Sequence, residues 1–255
     1  MVFSVFIYSF ALRKFNQLKN NSIMEKKYEF TEETLEWNGH ILHRIKALRD
    51  FGKVKAGRLG GWIEKEDNLS HEGNCWVDND AKVCGNAIVC DDAIVYDDAV
   101  VNGDAKVYGD AQVGNKAVVY GHAMVFDDAQ VGSNARVCGG ALVYENAKVF
   151  GDALVSGNAL VYDDAKVYGD AVVNGDAEIG RNAEVKKMGD YVTFRNFWSS
   201  GRWFTWTRSN NMWKVGCFYG TGEELIAKAY ADSEISGKCY EMVVKNQSKF
   251  LEVLK

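Results

Sequence analysis

AKVCGN AIVCDD AIVYDD AVVNGD AKVYGD AQVGNK, residues 81–116, reads as six copies of one hexapeptide. Ala recurs at every sixth position from Ala81 to Ala183, giving 18 consecutive units, and the third position is Val in 17 of them and Ile179 in the other. Two looser units, 69–74 and 75–80, precede them in the same register. Within a unit Ala and Val stand two residues apart, so an extended backbone sends both to one face and the intervening residues to the other. A helix cannot keep such a stripe buried, because six residues advance it by about 600°. The Gly, Asp and Asn that close most units tolerate positive φ or hydrogen-bond their own backbone, which is corner chemistry. The chain therefore alternates strand and corner.

The pattern resembles the left-handed parallel β-helix of the hexapeptide-repeat superfamily, in which an aliphatic residue, two corner residues and a small residue recur and three units close a triangular coil. The resemblance covers residues 69–188 and implies a mainly β fold. Eighteen units make six turns, about 29 Å at the ~4.8 Å spacing of paired strands. The chain contains no Pro, where ordinary usage of about 5% would supply roughly a dozen; Pro would remove a ladder bond from a strand paired on both sides.

Residues 18 apart stack in such a coil, so each side can be read as a column. An apolar side shows Ile88, Cys90, Lys106, Tyr108, Met124, Phe126, Leu142, Tyr144, Leu160 and Tyr162. A polar side shows Gln112, Gln130, Lys148 and Lys166, with Tyr96, Phe150 and Tyr168 toward its ends. The third side is mixed, with Val100, Val118, Leu154 and Val172 among Lys82, Arg136 and Asn174. An exposed apolar strip of that length calls for cover: self-association, packing of the terminal segments, or a ligand or partner stacked on the aromatic column. The family resemblance points to a homotrimer of parallel prisms. The corner after the apolar side stacks Asp92, Asp110, Asp128 and Asp164, a candidate for a Ca²⁺ ladder set against a solvated acidic edge.

The repeat carries 19 acidic and 9 basic residues over 69–188, and the whole chain has a net charge of -5. That excludes the broad basic footprint of a duplex-DNA binder. Six Cys form no C-x-x-C pair, so reduced thiols in a cytoplasmic protein are expected. MVFSVFIYSFAL, residues 1–12, is too short to span a bilayer, and the well-patterned MEKKYEF from Met24 makes residues 1–23 read as the product of an upstream start codon, with a disordered or membrane-touching tail as the alternative.

Many hexapeptide-repeat proteins are acyltransferases using acyl-CoA or acyl carrier protein, with a His general base and a loop that breaks the repeat to build a pocket. Here no insertion interrupts Ala81–Val185, and His122, at a corner, is the single His of that run and a weak catalytic candidate. No cofactor is expected outside the acyl-CoA reading. The three-His zinc site of gamma-class carbonic anhydrases has no counterpart in this run.

Residues 24–68 read as an N-terminal β cap, a hairpin turning at Asn38-Gly39, with Trp37 and Trp62 expected in its core. The run GGWIEKEDNLS, residues 60–70, resembles the start of YdcK-like hexapeptide-repeat proteins of bacteria and phages. Residues 189–255 read as a small α+β domain: strands 191–197, 202–208 and 212–218, a helix opened by a Thr221/Glu224 capping box, and a second helix over 238–254 with Tyr240, Val243, Val244, Gln247, Phe250 and Leu254 on one face. Arg195, Arg202, Arg208 and Lys214 interleave with aromatics and form a candidate partner surface. The expectation is a non-catalytic solenoid scaffold or binding protein, oligomeric through its apolar side, with the C-terminal domain contacting a protein partner, as a phage-encoded or host-interaction protein would; the alternative is an acyl-CoA-dependent acyltransferase.

Overall fold

The computed structural model describes residues 25–253; the reading of residues 1–23 and the place of Leu254 lie outside them. The Ala/Val repeat forms a parallel β-solenoid of about seven coils, one more than the regular units supply. The extra coil comes from Trp62-Ile63, which pair in parallel with Lys82-Val83, from Leu69 beside Val89, and from Trp76-Val77. Pairing throughout is between residues 18 apart, Val118 with Val100 and Arg136, Met124 with Lys106 and Leu142, Gln112 with Ile94 and Gln130. The three expected columns are the three observed sides.

Each repeat Ala and third-position Val is buried, Ala123 and Val125 at 0% exposure among them. Three walls of such short side chains leave no axial space for anything larger. The first corner residue of every regular unit but the last lies at positive φ, Gly103 at 68° and Asp127 at 55° for example, which is why Gly, Asp and Asn dominate there.

A stack of paired coils leaves backbone groups unpaired at both ends, and each end is closed differently. At the first coil the closure comes from donors. Lys27 is fully buried and its ammonium donates to the carbonyl oxygen of Cys75 at 2.8 Å. Tyr28 Oη donates to Leu69 O at 2.9 Å, and Asn68 Nδ2 to Ala87 O at 2.8 Å. Burial pushes the Lys27 pKa below its usual range.

At the last coil the closure comes from acceptors. One coil down, the amides of Ser156, Leu160 and Lys166 bond the carbonyls of Val173, Ala177 and Ala183. The corresponding amides of Asn174, Glu178 and Glu184 have no following coil. Three hydroxyl oxygens of the C-terminal domain take that place, Tyr191 Oη at 3.2 Å, Thr205 Oγ1 at 3.1 Å and Ser209 Oγ at 2.7 Å, one for each side of the prism.

The N-terminal hairpin pairs Tyr28–Trp37 with His40–Ala47, and Leu59–Ile63 continues the mixed side's sheet. Asn38 and Gly39 both have positive φ, as a tight hairpin turn requires. Trp37 and Trp62 are half-buried rather than core. Register places Trp62 on the outward column beside Lys82, under the Arg44 guanidinium at 5.1 Å, while Tyr28, Leu42, Ile45 and Trp76 fill the interior.

The C-terminal domain is a four-stranded antiparallel sheet with two helices, Gly222–Asp232 and Glu234–Val253. The capping box of Thr221 and Glu224 forms as read. Phe218–Gly220 is a fourth strand, and the second helix begins four residues earlier than expected. Tyr240, Val243 and Val244 pack on Phe204, Trp206 and Trp213, but Phe250 lies beyond the sheet and is 65% exposed. Strand Trp203–Thr207 is buried on both faces, since Thr205 and Thr207 turn away from the helices and Thr205 meets the solenoid.

Thr205→Val keeps the shape and removes the acceptor for the Glu178 amide. It should destabilise the fold by about 1–3 kcal/mol, read as a lower urea midpoint with unchanged far-UV circular dichroism.

Candidate functional site

On the apolar side the aromatic column is a continuous stack. Ring centroids of Tyr108, Phe126, Tyr144 and Tyr162 follow at 4.9, 5.0 and 5.4 Å with interplanar angles of 3°, 3° and 10°. The strip expected to be exposed is largely closed: Met124, Phe126 and Leu142 are 6%, 5% and 8% exposed and form a cluster with Tyr108, Tyr144 and Leu160. Identical positions one strand spacing apart put ring against ring, so each covers its neighbour. Position 180 completes the column with Gly, and a Cβ there would lie 2.3 Å from the Tyr162 ring. Ile88, at the head of the neighbouring column of Met124 and Leu142, is half-buried. Burial holds the Tyr144 and Tyr162 phenols well above their usual pKa, so neither serves as a base near neutrality.

The acidic corner next to this side is organised by the backbone. Each first-corner carboxylate reaches one coil on: Asp91 accepts from Gly109 N, Asp127 from Glu145 N, Glu145 from Asp163 N at 2.7 Å and Asp163 from Arg181 N at 3.0 Å. The second-corner candidates for Ca²⁺, Asp92, Asp110, Asp128 and Asp164, instead line one edge of a trough of about 1000 Å³ along the polar side. Its floor is Ile94, Gln112, Gln130, Lys148, Lys166 and Glu184. These four carboxylates do not gather in threes with their oxygens within 4.8 Å among the described residues, because each stands one coil from the next. Asp92 already accepts from the Asn74 amide and side chain.

His122 is exposed at the corner between the mixed and apolar sides, in a recess of about 240 Å³ with Asn86, Asp104, Lys106 and Met124. Its Nδ1 is 3.4 Å from Asp104 Oδ2, and Asp104 in turn accepts from Asn86 Nδ2 at 3.1 Å. A carboxylate beside an imidazole is the pairing a general base uses; here both side chains are largely exposed. The sequence offered Asp104 no distinction from other corner acids; its partnership follows from the 18-residue stacking.

The four basic candidates of the C-terminal domain have different surroundings. Lys214 is a tether: its ammonium bonds Gly216 O and lies 3.2 Å from Glu178 of the last coil. Arg195 is exposed and donates to Gly201 O, Arg202 is exposed, and Arg208 is half-buried. Among the described residues no helix is long and apolar enough to cross a membrane.

No family model matches the chain. It is similar to the uncharacterized acetyltransferase YdcK of Escherichia coli (strain K12), with 39% identity over 62 residues, 24% of this chain. The match spans about a fifth, 19%, of that protein's length.

Burial, reinforced by the Asp163 and Asp127 carboxylates, raises the Glu145 pKa above the ordinary carboxylate range. With the folded value above the unfolded one, the folded state holds the proton longer, so this group's contribution falls as pH rises through that window. Glu145→Gln should therefore gain stability over the parent at about pH 7 and show no gain at about pH 3, measured by urea denaturation at both.

Proposed function

We propose that the protein is a non-catalytic solenoid scaffold that binds an extended partner along the prism. The observation that carries this reading is the unbroken repeat: no unit from Ala81 to Ala183 is interrupted by a loop, and the trough on the polar side presents its groups at coil spacing, acids and amides on its edge and Gln and Lys on its floor. Such a surface matches a ligand with its own linear period better than a single small substrate, which needs convergent groups in a pocket. Self-association, a trimer by resemblance to other hexapeptide-repeat proteins, belongs to this proposal. Its hydrophobic support is narrower than the sequence suggests, because Met124, Phe126 and Leu142 are already buried. The C-terminal domain closes the coil and leaves Arg195 and Arg202 for contact with a protein partner.

A second reading, an acyl-CoA-dependent acyltransferase, is favoured by the His122–Asp104 pair and by the name of the similar protein. The His lies at the margin of the apolar side, where a neighbouring subunit would wall the recess.

A screen of acyl-CoA thioesters with amine and hydroxyl acceptors separates the two. The scaffold reading expects no turnover above the thioester blank and no difference between the parent and His122→Ala. Saturable turnover that His122→Ala lowers by about 100-fold or more would establish the transferase instead. Light scattering of the parent reports on self-association, with a monomeric mass overturning the trimer.

A further inference from the structure

Three side chains from separate segments converge where the N-terminal cap meets the first regular coil. His40 opens the second hairpin strand directly after the Asn38-Gly39 turn, Glu64 follows Ile63, and Cys84 follows Val83. Pairing of Ile63 with Val83 sets Glu64 beside Cys84, and the antiparallel hairpin brings His40 to the same edge. His40 Nδ1 is 2.9 Å from Glu64 Oε1, while Glu64 Oε2 accepts from Gly85 N at 2.6 Å. One ligand atom of each of the three lies within 4.8 Å of the other two, the sole such grouping among the described residues. Cys84 is buried, whereas the His40 and Glu64 side chains are 37% and 29% exposed, so the cluster is open on one flank.

We propose that His40, Glu64 and Cys84 form a zinc site, with water as fourth ligand, that staples the N-terminal hairpin to the solenoid. The donor set is one sulfur, one imidazole nitrogen and one carboxylate oxygen, the mixture a borderline-soft divalent cation accepts in tetrahedral geometry. Tetrahedral bonds of about 2.0–2.3 Å place ligand atoms roughly 3.3–3.8 Å apart, so closing on the ion asks for side-chain shifts on the order of 1 Å. Binding exchanges the Cys84 thiol proton for the metal–sulfur bond, the proton passing to buffer. Carboxylate and thiolate then balance the dipositive charge.

The test uses the full chain stripped of metal and titrated with Co²⁺, then Zn²⁺. A thiolate-to-cobalt charge-transfer band should saturate at one equivalent and be bleached by one equivalent of Zn²⁺. Cys84→Ser should abolish the band, His40→Ala should weaken Zn²⁺ binding by about 10–100-fold or more, and Cys138→Ser should change neither. Zn²⁺ should raise the Tm of the parent and of Cys138→Ser but not of Cys84→Ser. Absence of saturable Co²⁺ binding, a band that survives Cys84→Ser, or Zn²⁺ affinity untouched by His40→Ala would each overturn the site. Should Cys84→Ser not fold by circular dichroism, His40→Ala, at the half-exposed end of the hairpin, decides alone.

Discussion

The solenoid depends on one pairing rule: each strand lies beside the strand one coil on, residues 18 apart in register and each strand amide bonding the carbonyl 17 positions on. That rule requires each side of the prism to be two paired residues flanked by a corner. It requires corners that tolerate positive φ and an interior small enough for Ala and Val to fill. It also makes the two ends the weak places, because the bonds that stabilise the middle are missing there. The buried ammonium of Lys27 at one end and the hydroxyls of Tyr191, Thr205 and Ser209 at the other are answers to the same deficit with opposite chemistry.

Periodicity sets how much of the fold is legible in the sequence. The three columns, the corners, the Asn38-Gly39 turn and the Thr221 cap are local or repeat every 18 residues, so spacing alone locates them. What escaped lies where the period ends. Lys214 reads as a free surface charge until Glu178 of the last coil is placed beside it. Trp62 reads as core because it is large and apolar, but the register with Lys82 turns it outward. Cys84, Glu64 and His40 are separated in sequence by unequal intervals, and no motif joins them. Spacing alone puts the aromatic residues in one column, yet its closure depends on ring orientation, which spacing does not specify.

Regularity also shapes what the surface can do. Catalysis needs different groups brought to one point, and a strict repeat instead distributes similar groups along a line. The His122–Asp104 pair is a place where two adjacent coils differ enough to suggest chemistry. The trough on the polar side is the opposite case, with an extended site whose rungs share one character. Stacked identical positions carry a cost as well, since like charges are set one strand apart. Backbone amides offset it at the first corner position, where each carboxylate bonds the next coil.

The three hydroxyls at the last coil have a consequence for how such a chain can change length. Each is keyed to one side of the prism, Tyr191 to the mixed side, Thr205 to the apolar side and Ser209 to the polar side. Loss or duplication of one hexapeptide would rotate the terminal domain by a third of a turn relative to the N-terminal cap and shift every outward column after the break. Loss or duplication of three would leave all of these in phase. A change in length by whole coils therefore keeps the N-terminal cap, the outward columns and the C-terminal domain in phase, whereas a change by a single hexapeptide does not.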